Sequence, residues 1–233
     1  MFNIFEGCAN LKTVYNNSSL NFYTGSEEYG YIAYYANLII VNEYGFKQID
    51  GVNTLVVYNG KAISITLLAD YNGESYIIGA EAFKNNSSLT IVTIPNSVTS
   101  IGYKVFCGCS NLETLYISSA IESIGNYAFA ECDKIAEIKV GAEKPIRGNT
   151  NIFTNAVYDN ATLYVPNGSK SFYEKIEPWN LFLYIVEMDF TGIDDVKAES
   201  VEDNGIYYDL NGRAVENPAN GIYIINGKKV LVK

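Results

Sequence analysis

Three stretches of this chain repeat one another, and that repeat constrains the fold more than any other feature of the sequence. Aligned from Ile78, Ile101 and Ile124, the units place Phe83, Phe106 and Phe129 at intervals of 23 residues. Leu89, Leu112 and Ile135 keep the same step, as do Val92, Leu115 and Ile138, then Ile94, Ile117 and Val140. A glycine column, Gly79, Gly102 and Gly125, runs with them. Within L-x-x-V-x-I, Val92 and Ile94 fall on one face of a short strand and Ile91 and Thr93 on the other, because side chains alternate along a strand. The I-G-x-x-x-F part reads as a turn followed by a Phe that enters the core. One unit cannot bury its apolar side alone. Neighbours stacked at the strand spacing of about 4.7–4.9 Å bury a continuous column, so the repeat predicts a solenoid.

Composition agrees. Twenty Tyr favour strands and 26 Asn favour turns, against five Pro and one Trp. The chain has no His, which removes Ser-His-Asp and Cys-His catalysis and His-ligated metal sites. A net charge of −10 argues against nucleic acid, whose phosphates need a basic footprint. No apolar run is long enough for a membrane-spanning helix. The start, MFNIFEGCANLKTV, lacks the basic, apolar and small-residue regions of a signal peptide. The chain therefore reads as a protein without a leader or as a fragment of something longer.

The string IPNSVTSIGYKVFCGCSNLETLYISSAIESIGNYAFAEC resembles the BspA-like leucine-rich repeat family of bacterial surface proteins. Their unit is of the I-P-x-S-V-T-x-I-G-x-x-A-F-x-x-C-x-x-L type. The expected fold is β-rich with minor helix: a leucine-rich-repeat solenoid of 23-residue repeats, a β-hairpin-rich lead-in segment and a small C-terminal β-module. Residues 1–45 read as a partial repeat (Phe5, Cys8, Leu11, Val14) plus a tyrosine-rich connection, and 46–77 as the lead-in. Regular repeats occupy 78–140. A degenerate repeat and cap follow over 141–190, with the single Trp and a short helical pattern around Phe172–Ile176. A solenoid beginning in mid-repeat implies further repeats upstream.

Residues 191–204 read as an acidic linker. Between Glu187 and Asp203 there are seven acidic residues and one basic, so more than half of the net charge lies there. No calcium-loop spacing is present, and Asp70-Tyr71-Asn72-Gly73-Glu74 has suitable letters at the wrong spacing. In 205–233, three strands are expected at 206–210, 221–225 and 228–232, punctuated by Asn-Gly pairs. With Pro218, Gly221, Tyr223 and the closing GKKVLVK, this tail resembles the C-terminal sorting domain of secreted Bacteroidetes proteins exported by type IX secretion. A small β-module with no sorting role is the other reading.

Cys8, Cys109 and Cys132 share one slot, where the 78–100 unit has Asn86, and Cys107 stands outside the pattern. Three readings stay open: a buried small-residue column, a Cys109–Cys132 disulfide, or a metal site, for which C-x-C alone is a weak signal. The adjacent carboxylates Glu27/Glu28 and Asp194/Asp195 point to opposite sides of an extended chain, so they form no acid–base pair. No enzyme, cofactor or metal is expected. The candidate binding face is the outward side of the repeat strands: Ile91, Thr93, Thr114, Tyr116, Glu137 and Lys139. The resemblance implies an extracellular or cell-surface protein whose partner is a protein or cell-surface ligand, of adhesin type. A structural spacer with no ligand of its own fits the same residues.

Overall fold

The alternation of Val92 and Ile94 with Ile91 and Thr93 becomes a four-residue strand with its two aliphatic side chains buried, and the same pattern recurs along the chain. The computed structural model describes residues 13–15, 38–41, 43–190, 207–208, 214–215, 221–225 and 228–232. Its first strands are β1 (Thr13–Tyr15), β2 (Leu38–Val41), β3 (Tyr44–Ile49), β4 (Val52–Tyr58), β5 (Ser64–Thr66) and β6 (Tyr76–Ile78). The repeats supply β7 (Ile91–Ile94), β8 (Val98–Ile101), β9 (Thr114–Ile117), β10 (Ser123–Ile124) and β11 (Glu137–Val140). Helix α1 (Asn155–Asn160), β12 (Thr162–Pro166), helix α2 (Lys170–Tyr173), a 3-10 turn at Trp179–Leu181 and β13 (Tyr184–Met188) complete this part. The chain divides into two compact units, 1–189 and 190–233.

Each repeat contributes two strands. The L-x-x-V-x-I strands stack in parallel as a six-stranded sheet in the order β13-β12-β11-β9-β7-β5. The V-T-x-I segment just before the glycine forms the second strand, a strand that the repeat pattern does not predict. These strands, β6, β8 and β10, belong to a seven-stranded sheet ordered β1-β2-β3-β4-β6-β8-β10. A meander precedes the stack and begins ahead of the 46–77 segment, within the stretch read as a tyrosine-rich connection: β2, β3 and β4 pair antiparallel, and β4 then joins the stack by pairing parallel to β6. The β3–β4 turn is two residues long, Asp50 and Gly51, both at positive φ (51° and 78°), the geometry that suits a twisted hairpin. At the other end of the meander, Val14 is buried in β1, while Phe5, Cys8 and Leu11 of the upstream repeat lie outside the described residues.

Between the sheets runs the predicted aromatic column. Phe83, Phe106 and Phe129 stack with centroids 4.8 and 5.3 Å apart. Tyr58 extends the stack at one end (4.9 Å) and Phe153 at the other (5.2 Å), both off the 23-residue step. The aliphatic columns flanking it, from Leu89 and Val92 to Ile138 and Val140, are buried throughout. At about 1.5–3 kcal/mol per fully buried large side chain, each coil adds several such contributions.

The glycine column has a cause beyond turning the chain. The Gly102 and Gly125 amides donate to the carbonyls of Ile78 (2.8 Å) and Ile101 (2.7 Å) in the preceding coil. A Cβ at Gly125 would lie 2.6 Å from the Gly102 carbonyl carbon, so successive coils approach as closely as bare backbone allows. The turns that follow are left-handed at two positions per coil. Glu81, Lys104 and Tyr127 have φ of 62°, 52° and 60°, and Asn85, Gly108 and Glu131 have 60°, 78° and 59°. The amides of Glu81, Asn85, Lys104, Gly108 and Tyr127 donate to the next coil, as in Lys104 to Asn126 (3.1 Å) and Gly108 to Ala130 (2.9 Å). These bonds offset the cost of bulky residues in that region.

The cap closes the core with rings. Trp179 is fully buried and donates its indole N–H to the Ile146 carbonyl (2.7 Å). The Tyr173 hydroxyl donates to the Ala142 carbonyl (2.6 Å). Helix is confined to Lys170–Tyr173 here, so the pattern expected to reach Ile176 stops short, and Ile176 is exposed. Helix α1 lies within the stretch read as a degenerate repeat and cap; it buries Val157 and Tyr158.

The second unit holds a four-stranded antiparallel sheet ordered β15-β14-β16-β17. Its strands are β14 (Tyr207–Tyr208), β15 (Ala214–Val215), β16 (Gly221–Ile225) and β17 (Lys228–Val232). The last two have the bounds expected from sequence. The first is shorter than 206–210, and β15 is additional. The linker 191–204 lies outside the described residues.

Candidate binding face

Parallel, in-register pairing places equivalent residues side by side, and the outward face of the six-stranded sheet therefore carries two ladders. One runs Ser64, Ile91, Thr114, Glu137, Thr162, Tyr184. The other runs Thr66, Thr93, Tyr116, Lys139, Tyr164, Val186. Ile91, Thr93, Thr114, Tyr116, Glu137 and Lys139, the residues singled out from sequence, all stand on this face, in the middle of the ladders. The six others were missed. Thr162 and Tyr164 had a readable signal: the step from Val140 to Val165 is 25 residues, and the same step carries Glu137 to Thr162 and Lys139 to Tyr164. Ser64 and Thr66, 27 residues before Ile91 and Thr93, had none.

The centre of the face is a fixed polar cluster. Lys139 donates to a Glu137 carboxylate oxygen (2.7 Å) and to the Tyr116 hydroxyl (3.2 Å). Its ammonium also sits 4.8 Å from the Tyr116 ring centroid and 5.6 Å from that of Tyr164, within cation–π range. The Lys139 side chain is 16% exposed and that of Glu137 41%. Burial disfavours the Lys139 charge, but the hydrogen bonds it donates to Glu137 and Tyr116 outweigh it and hold the ammonium above its ordinary range. Of the twelve ladder side chains, eight end in a hydroxyl, counting the phenols. The only charges on the ladders are Glu137 and Lys139, which cancel.

A second Tyr–Lys–Tyr group lies on the turns rather than on the sheet. Lys104 is 5.2 and 5.7 Å from the Tyr103 and Tyr127 centroids, and both rings are exposed. A hydrogen bond with Tyr103 raises the Lys104 ammonium above its usual range.

The cysteine slot resolves into a hydrogen-bonding column. Cys109 and Cys132 are free and buried, and their thiols donate to the carbonyls of Phe83 (3.2 Å) and Phe106 (3.1 Å). Asn86 does the same from its amide to Gly60 (3.3 Å), reaching back by the same 26 residues. That shared reach explains why Cys and Asn alternate in one slot. Contact with Cys109, together with burial, pushes the Cys132 thiol far above its ordinary range, and burial raises Cys107. Neither the Cys109–Cys132 disulfide nor a metal site is formed by the described residues. The Asp70–Glu74 stretch is a turn: Tyr71 bridges Glu74, and the Gly73 amide donates to the Asp70 carboxylate (2.7 Å). Among the described residues no helix is long and apolar enough to cross a membrane.

The family described as BspA type leucine rich repeat region matches residues 58–176 in 6 copies. The chain belongs to that family. The match spans the coils from β4 to the cap, including the whole predicted repeat. A leucine-rich repeat protein from Bacteroides capillosus is 31% identical over 56% of this chain and 99% of its own, with a TM-score of 0.45. A leucine rich cell surface protein from Faecalibacterium prausnitzii is 18% identical over 76% of this chain and 60% of its own, at 0.40. A leucine-rich repeat protein from T. pallidum is 18% identical over 52% and 68%, at 0.38. Among curated proteins none matches. Proteins of this repeat class typically mediate protein interactions.

Proposed function

We propose that this BspA-type protein is a non-enzymatic, adhesin-like binding protein, secreted or displayed at the cell surface. It contacts host matrix proteins or other cells through the outward face of the six-stranded sheet. One observation carries the reading: the two ladders bring Tyr116, Glu137, Lys139 and Tyr164 together as a prearranged, half-exposed cluster on a rigid sheet. Tyr suits such a role because it offers a large amphipathic contact at low entropic cost. Replacing Ile91, Thr93, Thr114, Tyr116, Glu137 and Lys139 by Ala tests the reading. The expected result is at least tenfold weaker binding to reconstituted basement-membrane matrix and to epithelial cells. Absence of binding by the unmodified protein supports instead a spacer that displays other domains.

The tail reading rests on Pro218, Gly221, Tyr223 and GKKVLVK, of which Gly221 and Tyr223 stand on β16. We assign it a sorting role in type IX secretion. A reporter fused to residues 191–233 is expected to reach the outside of a host that has this pathway; retention inside refutes the role.

A further inference from the structure

We infer that the sheet face recognises an uncharged polysaccharide chain lying across the strands, along the two ladders. This rests on the binding-face reading and names what the face touches on matrix proteins and cells, their glycans rather than their polypeptide. Size is the first argument. Six strands at about 4.8 Å are roughly 24 Å across, and two ladders two residues apart make a strip on the order of 10–13 Å wide. The footprint is on the order of 300 Å², well short of the about 800 Å² per partner of a stable protein interface. A single extended chain fits it.

The second argument is composition. Protein interfaces centre on desolvated aromatic and Arg anchors and are depleted in Lys, Glu and Ser, whereas these ladders carry Ser64, Glu137 and Lys139 and no Arg. Here the aliphatic ladder residues are Ile91 and Val186, which stand on different ladders and four strands apart. The rest is dominated by hydroxyls and phenols. A pyranose ring has a rim of hydroxyls and an apolar C–H side, and a surface of hydroxyls set beside Tyr rings matches both.

Charge is the third. Glu137 and Lys139 are held 2.7 Å apart, so one acceptor and one donor are presented side by side with no net field. Neighbouring sugar hydroxyls can donate to the carboxylate and accept from the ammonium. A sulfated or polyacidic chain finds no excess of positive charge to attract it.

The test compares binding to reconstituted basement-membrane matrix before and after enzymatic removal of its glycans, with cellohexaose, mannohexaose, chitohexaose and N-acetyllactosamine oligomers as competitors. Glycan removal is expected to lower binding at least tenfold, at least one competitor is expected to inhibit, and heparin is not. Tyr164→Ala and the bulky Thr162→Arg are each expected to lower oligosaccharide affinity at least tenfold, with thermal unfolding unchanged within a few degrees. If binding is undiminished by glycan removal and uncompeted, the polysaccharide inference is overturned while the binding face stands. Preference for heparin also overturns it. Oligosaccharide binding that survives both variants overturns the assignment to this face, and no binding to matrix, cells or oligosaccharides overturns both readings.

Discussion

At the level of single residues, the coils are joined by groups that each have one task. The Cys109 thiol ties its coil to the Phe83 carbonyl of the preceding coil. Cys109→Ala removes that donor, while the Phe83 carbonyl keeps the Asn86 amide (3.1 Å), so the expected cost is about 0.5–1.5 kcal/mol by urea denaturation, with Cys109→Ser recovering part of it. Gly125→Ala drives a methyl group into the backbone of the neighbouring coil and is expected to cost at least as much. Glu131 occupies a left-handed position that Gly108 fills one coil earlier. Glu131→Gly is expected to be neutral or stabilising by up to about 1 kcal/mol, because relief at positive φ offsets the entropy of glycine. Much of this was legible as a column and not as a mechanism. The [CN] slot in the sequence announced a small buried side chain. That it donates to a carbonyl 26 residues back depends on where coils sit relative to each other, which spacing alone does not give.

At the level of elements, the inward strand of each repeat was readable because alternation and the 23-residue step agreed at every column. The second strand was not. Val98–Ile101 buries its first and last residues with two half-buried ones between, a pattern without the period-2 signature of a strand. It is extended because its neighbours β6 and β10 hold it in a parallel ladder. The cap shows the opposite balance. Trp179 stood out as the only Trp, yet its role depends on a hydrogen bond to Ile146, 33 residues away. Trp179→Phe keeps most of the apolar contact and abandons that bond. The expected loss is about 1–3 kcal/mol, and amide hydrogen exchange should rise first in β12 and β13, since a stack frays from an uncapped end.

For the whole molecule, the ladders show how far sequence could define the face. Its middle was legible from strict period, Thr162 and Tyr164 from a lengthened step, and the first rung only once the meander of β2 to β4 fixed where the stack begins. Alkaline pH gives a global prediction. Burial raises Tyr44 and Tyr158 to about 12 from an ordinary 10, and Tyr76 and Tyr173 higher still. The folded state thus keeps protons that the unfolded state releases above pH 10. The stabilisation is complete below that point and is lost as pH rises through 10 to 12, at about 1.4 kcal/mol per group per unit. Thermal unfolding is expected to move little between pH 6 and 8, to fall gently from about 8.5 as the raised Cys107 and Cys132 thiols come into play, and to fall steeply above 10. The step of 23 residues also has a meaning for the gene. Duplication of one whole unit keeps the reading frame, the register of both sheets and both ends of the stack. Copy number can therefore drift between strains of one species, lengthening or shortening the exposed face one rung at a time without a new fold having to be found.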